Sequence, residues 1–425
     1  MTKRGTVYIT HCVDTEGPLH ETLEATFQRF HERFGIKMEP SQKLLQKIQK
    51  KEIDLGGLEE KAADFVAPKR LAYLSRWDDV EEMIRAVTCI DYRQKYADPK
   101  GNPYTFTWFI VDVVGYRDNP RDKAQGFHAV WDKYMRFLDK NLYNDAMGWH
   151  FHTVPVGNHA LHYNTCWTNN DYHEQVLARR IIERSWFPSA FRAGGHIERN
   201  DLSFWLEQFI PFDYSCHSLE KNIYEPGSQQ DWRFSPVTWG AYHPDFYDYR
   251  KPGRMKRRIF RCLDFDSNNI MLDRSEVEKA FQSAQEGNKV ILAYSSHDRR
   301  DMRPKIEKAA SLIKDVARCY ADVDWEYANA LDAARKACAL EERPAPLFSI
   351  EREKGTFLIT SDQPLFGPIP FLAVEEENGI FYRDNPTQES ETRWAYTCIR
   401  PEKTLRIGVG ASNASGNTGT KTILL

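Results

Sequence analysis

Two short spacings in this chain place metal-ligating side chains on one side of an extended segment. Asp14 and Glu16 are two residues apart in Val13-Asp14-Thr15-Glu16-Gly17, and His150 and His152 are two apart in Trp149-His150-Phe151-His152. Side chains alternate along a strand, so residues two apart point the same way. Two carboxylates and two imidazoles from different strands make an oxygen and nitrogen donor set suited to Zn2+, Mn2+, Fe2+ or Co2+. Alone, an Asp-x-Glu at a strand end is ordinarily a cap or a solvated loop, and most His-x-His pairs hold no metal. Together in one frame, with His297-Asp298 closing a later apolar run, they favour a metal centre. Arg192 stands just before Gly194-Gly195, where bare backbone can approach a ligand closely. His196 and His217 sit near other strand ends and are weaker candidates. His159 or His162, in the loop beyond His152, could replace it.

Such groups need strands to carry them. An apolar β-rich run, Thr6-Val-Tyr-Ile-Thr-His-Cys-Val13, ends at Gly17-Pro18. A polar region over 20–75 carries Leu44, Leu45 and Ile48 at helical spacing, which predicts a helical insertion outside the core. Asp78-Asp79 is expected to cap a helix bearing Val80, Met83, Ile84 and Val87 on one face. Strands are predicted at 104–114, 145–153, 190–193, 212–216, 289–295 and 323–327. Helices are predicted at 127–140, 174–186, 201–208, 275–285 (capped by Ser275), 304–320 and 328–339. This alternation argues for an α/β barrel or a doubly wound sheet, with chemistry at the C-terminal strand ends. After Pro344 only short strands and turns follow, so residues 1–342 are expected to form the α/β unit and 343–425 a small all-β domain. The segment Trp239–Arg261, rich in aromatic and basic residues, is read as a loop, either a solvated hairpin or a grip on an anionic or nucleotide-linked sugar.

At 425 residues the chain exceeds one ordinary core, and 41 % hydrophobic with 28 % charged residues is a globular composition. A net charge of −3 excludes nucleic-acid binding by charge alone. No apolar stretch approaches the roughly 20 residues of a membrane span, and no secretory signal is visible. Eight scattered cysteines without C-x-x-C read as reduced thiols, so a cytoplasmic location is expected. Aromatics reach 13 %, and such rings suit surfaces that stack on sugars.

In motif content and order the chain resembles the polysaccharide deacetylases, the NodB-homology carbohydrate esterases. Val13-Asp14-Thr15-Glu16-Gly17 resembles that family's first motif, an apolar strand followed by Asp-Asp-Gly, and Tyr104-Thr-Phe-Thr-Trp-Phe-Ile-Val111 resembles the strand after it. Met147-Gly148-Trp149-His150 is similar to the motif introducing the metal histidines. Phe191-Arg192-Ala193-Gly194-Gly195 is similar to the motif whose Arg orients the catalytic carboxylate. Phe212-Asp213-Tyr214-Ser215 resembles the fourth motif. Ile291-Leu-Ala-Tyr-Ser-Ser-His297-Asp298 resembles the fifth, which ends in the catalytic His. Two positions depart from the pattern. Thr15 stands where the second Asp would fall, which moves the carboxylate ligand to Glu16, and Val154 stands four residues after His150, which leaves His152 as the second imidazole.

The resemblance implies a distorted barrel of about seven strands and a divalent metal, Zn2+ first, removing an N-acetyl or similar acyl group from an amino sugar. It assigns Asp14 as base, His297 as acid with Asp298 nearby as a tuning group, Arg192 as orienter, and Glu16, His150 and His152 as metal ligands. Trp149, Tyr242, Tyr247 and Arg250 are the expected sugar contacts. Its context would be surface-polysaccharide biosynthesis, O-antigen assembly above all, on a nucleotide- or lipid-linked precursor. Two alternatives remain: a metal-independent glycoside hydrolase using Asp213 or Asp298 as a second carboxylate, and a carbohydrate-binding relative without turnover.

Overall fold

The structure, a computed structural model, describes residues 5–138, 143–159, 166–220, 230–266, 269–353 and 355–425. Its hub is β1 (Thr6–Thr15), whose run of β-formers is buried along nearly its whole length. On one edge β1 pairs in parallel with β8 (Lys289–His297), from Thr6 opposite Lys289 to Asp14 opposite His297. Its other edge is shared. The lower half, Thr6 to Ile9, pairs with β9 (Asp324–Tyr327), and the upper half, His11 to Thr15, pairs with β2 (Phe106–Asp112). Between β2 and β8 the parallel order continues through β3 (Ala146–Phe151), β4 (Ala190–Ala193), β5 (Phe212–Cys216) and β6 (Arg258–Asp266). The seven strands β1, β2, β3, β4, β5, β6 and β8 close on themselves at the upper end, while β9 wedges between β1 and β2 below. That is a distorted parallel barrel, as the motifs imply. A two-residue β7 (Asn269–Ile270) only extends β6 as a hairpin.

Alternation sorts the strands into an inner and an outer face. Tyr8, Cys12, Phe109, Phe212, Tyr214, Phe260, Cys262, Ile291 and Ala293 fill the barrel interior. Val7, Ile9, Val13, Trp108 and Ile110 face outward against helices, including Trp77–Thr88 through Val80, Met83, Ile84 and Val87. Gly148, on the inner face of β3, is where Phe109 sits: a Cβ there would lie 2.5 Å from the Phe109 ring. The insertion forms helices Leu23–Phe34, Gln42–Gln49, Glu59–Phe65 and Pro68–Leu71. It is more than decoration, since Phe27, Phe30, Leu45, Ile48 and Ala62 close a small core of their own.

Beyond helix Ala330–Ala337, the elements among the described residues are all strands. One antiparallel sheet runs β10 (Phe348–Glu353), β11 (Thr356–Ser361), β15 (Arg393–Thr397), β14 (Thr387–Ser390). The other runs β13 (Phe381–Asp384), β12 (Phe371–Glu376), β16 (Thr404–Ser412), β17 (Thr418–Leu424). Phe357, Ile359, Leu372, Val374, Trp394, Ile407 and Val409 fill the space between them. The opposite face of the second sheet, through Phe371, Ala373 and Phe381, packs on helix Tyr172–Arg184. Gly408 and Gly410 let that helix seat closely, because a Cβ at either would come within 2.9 Å of Ile181.

Several elements differ from the sequence reading. Strand β6 runs through the end of the segment read as a loop, and β14 and β17 were not expected. Asp78 and Asp79 lie in the first turn of their helix without capping it; they favour the N-terminus through the helix dipole. The cap of helix Arg274–Gln285 is Asp273, whose carboxylate accepts from the Glu276 amide, in place of Ser275. Among the described residues no helix is long and apolar enough to cross a membrane.

Candidate metal-binding active site

At the C-terminal mouth of the barrel, the inward positions of four strands carry Asp14 (β1), His150 (β3), Arg192 (β4) and His297 (β8). Register aligns them: Asp14 is opposite His297, and His150 opposite Arg192. Asp14 and Arg192 are both buried and form a two-pronged pair, Nε to Oδ1 at 2.7 Å and Nη2 to Oδ2 at 3.0 Å. The remaining prong, Nη1, donates to the Tyr214 carbonyl at 2.6 Å, so the guanidinium cannot swing away. Burial pushes the Asp14 carboxyl up, but the charge and hydrogen bonds of Arg192 outweigh it and hold Asp14 well below the usual range. Asp14 is therefore ionised and fixed in direction.

Glu16, His150 and His152 bring three donor atoms within 4.8 Å of one another. His150 Nδ1 donates to the Arg192 carbonyl at 3.0 Å, which leaves the Nε2 lone pair free to point across the mouth. Burial pushes His150 down to about 3 and lowers His152 as well, so both imidazoles are neutral, the form that binds metal. His150 Nε2 lies 3.1 Å from His152 Nε2, which lies 3.5 Å from Glu16 Oε1. Donors about 2.0–2.2 Å from a tetrahedral Zn2+ sit roughly 3.3–3.6 Å from one another, and these two separations lie within a few tenths of an ångström of that. His152 reaches this place only because Gly194 has no side chain; a Cβ there would stand 2.4 Å from the imidazole Cγ.

Two further residues hold Glu16: Lys123, which the sequence did not flag, and Asp298, for which it gave another role. Lys123 Nζ pairs with Glu16 Oε2 at 2.7 Å, leaving Oε1 for the imidazole side. Burial pushes the Glu16 carboxyl up, but Lys123 and His152 hold it well below the usual range. Asp298 faces outward, away from His297, and accepts from the Glu16 amide at 2.7 Å, the Gly17 amide at 2.9 Å and the Tyr134 hydroxyl. It anchors the turn that presents Glu16, which corrects the expectation that it tunes His297. Nothing in the sequence around Lys123 announces its role.

The other expected residues are distributed unevenly. His159 approaches Gln28 at 3.2 Å and does not join the donor cluster, and His162 lies outside the described residues. Trp149 has the opposite parity to His150, so it faces outward, is buried in the core and donates to Asp112 at 3.2 Å. It cannot touch a sugar. Tyr242 is also buried, its hydroxyl donating to the Tyr249 carbonyl at 3.0 Å, and it too is removed from the substrate surface. Tyr247 is 81 % exposed and lines a cleft of about 500 Å3 with Glu198, Asp231, Arg233 and Arg250. Arg250 is committed to Asp231 at 2.5 Å and Asp248 at 2.8 Å, so the cleft presents it as a paired group. Asp213 faces outward into a buried pair with Arg257 at 2.5 Å.

A further cluster, His196, His217 and Asp264, lies on the same rim, with its donor atoms again within 4.8 Å of one another. Asp264 was missed because the first part of its strand, β6, falls in the segment read as a loop and no strand was expected just beyond it. The hydrophobic run Ile259-Phe260-Arg261-Cys262-Leu263 before it was the available signal.

No model of a known protein family matches the chain, and no curated protein matches it. Among solved structures it is similar to a protein from Parabacteroides distasonis described as a glycoside hydrolase/deacetylase. That similarity has 10 % identity and a TM-score of 0.36, over 95 % of this chain and 89 % of the other. It is also similar to a carbohydrate acetylesterase from Xanthomonas citri, at 10 % identity and a TM-score of 0.14, over 38 % of this chain and 47 % of the other.

Proposed function

We propose that the chain is a metal-dependent hydrolase of the polysaccharide deacetylase superfamily, removing an N-acetyl or similar acyl group from an amino sugar. The observation that carries this reading is the buried Asp14, held ionised by two Arg192 donors beside the converging Glu16, His150 and His152. Glu16, His150 and His152 would hold a divalent cation, Zn2+ by their donor chemistry, which when bound would supply Lewis acidity toward an acyl oxygen and lower the pKa of a water. Asp14, anionic but weakly basic, accepts the proton of the attacking water. Arg192 keeps its carboxylate aimed. His297, opposite Asp14 across the β1–β8 pair, delivers a proton to the departing amine. Lys123 and Asp298 fix Glu16, and Tyr247 offers a ring to the sugar face at the edge of the cleft. We place the substrate among nucleotide- or lipid-linked precursors of surface polysaccharide, O-antigen included, in the cytoplasm; the free thiols of all eight cysteines accord with a reducing compartment.

The test is amine release from N-acetylated amino sugars, measured beside metal content. Zn2+-loaded protein should release amine. His150→Ala should lose metal and turnover together. Metal retention by His150→Ala overturns the ligand set, and turnover by protein stripped of metal overturns the reaction.

A further inference from the structure

His196 follows β4 in a tight turn at φ +56°, an unusual conformation for a residue with a side chain. His217 follows β5, and Asp264 is on the inner face of β6. The two imidazoles stack face to face, centroids 4.1 Å apart at 5°, both aimed at one carboxylate. His196 Nε2 is 3.2 Å from Asp264 Oδ1, and His217 Nε2 is 3.7 Å from Oδ2. His217 Nδ1 is engaged by the Gln230 side-chain oxygen at 3.2 Å, an acceptor, so the ring proton belongs on Nδ1. The His217 Nε2 lone pair then faces a carboxylate oxygen, acceptor against acceptor, and that buried nitrogen has no hydrogen-bond partner. Protonating both rings instead would set two like charges face to face in a buried place. A cation between the three groups resolves the conflict. Ser295 Oγ, donating to Asp264 Oδ1 at 2.8 Å, orients the carboxylate as outer-shell partners of metal ligands do.

We propose that His196, His217 and Asp264 form a second divalent-metal site on the barrel rim, of the Zn2+ class, separate from Glu16, His150 and His152. Two nitrogens and one carboxylate suit Zn2+, and three protein ligands leave a position open, as in reactive sites and unlike closed structural ones. The open position takes an oxygen donor. Strand order explains how one barrel can hold both centres: the first draws on β1 and β3, the second on β4, β5 and β6, with Arg192 and His297 on strands at the boundaries between them.

The experiment strips the full chain of metal, reloads it with Zn2+ alone, removes the excess and counts bound metal per chain, with circular dichroism as the folding control. Wild type should hold two equivalents. His217→Ala and Asp264→Asn should each hold one, His150→Ala one, and His150→Ala with Asp264→Asn none. Asp264→Asn is nearly isosteric, so it decides the matter if His217→Ala does not fold. The inference is overturned if wild type holds a single equivalent that only His150→Ala removes, if it holds none, or if both rim variants keep two. One equivalent lost on replacing His217 or Asp264 but kept on replacing His150 would sustain the second site while removing the first, and with it the hydrolase centre proposed above.

Discussion

Replacing Asp14 by Asn separates the chemistry of the mouth from its architecture. Asn keeps the volume and can accept one Arg192 donor, but it cannot take a proton from water. Loss of general-base action ordinarily costs about 10²–10⁴-fold in turnover, or about 2.7–5.4 kcal/mol of transition-state free energy. The structure adds a second cost. Arg192 is fully buried, and among the described residues Asp14 is the carboxylate that its donors reach. Breaking a buried ion pair from one side costs about 3–5 kcal/mol; with the Tyr214 carbonyl and one Asn oxygen still accepting, the lower end applies here. Asp14→Asn should therefore lose turnover and melt earlier, while metal bound at Glu16, His150 and His152 stays. The double variant Asp14→Asn with Arg192→Met removes the stranded cation and should recover much of the melting temperature without recovering activity. Amine release, differential scanning calorimetry and metal content on the three proteins form the assay. Wild-type turnover in Asp14→Asn, or activity restored in the double variant, would refute the reasoning.

Lys123→Met should weaken metal binding about 10–100-fold, the usual effect of removing a ligand's outer-shell partner, and competition with a chromophoric chelator would measure it. An unchanged affinity would mean that Lys123 does not set the Glu16 geometry. Tyr247→Ala should raise KM with kcat nearly unchanged, since a ring remote from the reacting amide supplies uniform binding; a kcat loss at constant KM would contradict its place at the cleft. Burial pushes His11 down to about 3 and His173 down to about 4, whereas both titrate near 6.5 when unfolded. Below pH 6.5 the unfolded chain binds more protons than the native one, so each contributes stability that is complete above 6.5 and falls by about 1.4 kcal/mol per pH unit toward its folded value. Urea midpoints at pH 7, 6 and 5 should fall in that order, and a flat series would refute this.

Strand parity explains both what was legible in the sequence and what was overlooked there. Asp14 with Glu16 and His150 with His152 were found because a spacing of two is visible without a structure, and the fold then turned both pairs inward. The same rule, applied to Trp149 and Asp213, already excludes them: each neighbours an inward residue and must face the helices. Asp264 was lost for a different reason. Arg258, Arg261 and Asp264 interrupt the apolar run of β6, so its start was read with the aromatic, basic loop before it and no strand was expected after Arg261. In the fold those charges are absorbed, Arg261 by Glu276 at 2.6 Å and Asp264 by the rim imidazoles. Lys123 could not have been read at all, because its pairing with Glu16 joins distant parts of the chain and has no local pattern.

The same parity bears on whether this mouth could break a glycosidic bond without a metal. That chemistry needs two carboxyl groups facing one sugar, roughly 5–10 Å apart. Asp213 faces outward and is locked to Arg257, and Asp298 faces outward and holds two backbone amides and the Tyr134 hydroxyl. Neither can reach the interior without turning its strand over, which would also turn His297 or Tyr214 out of it. Asp264 does face inward; burial pushes its carboxyl up, but the His196 imidazole 3.2 Å away outweighs this and holds it well below the usual carboxylate range. A general acid must carry a proton at working pH, so a carboxyl held ionised is unsuited to protonate a leaving group. Among the described residues the mouth therefore lacks the second inward carboxyl, free to donate a proton, that glycosidic cleavage without a metal requires.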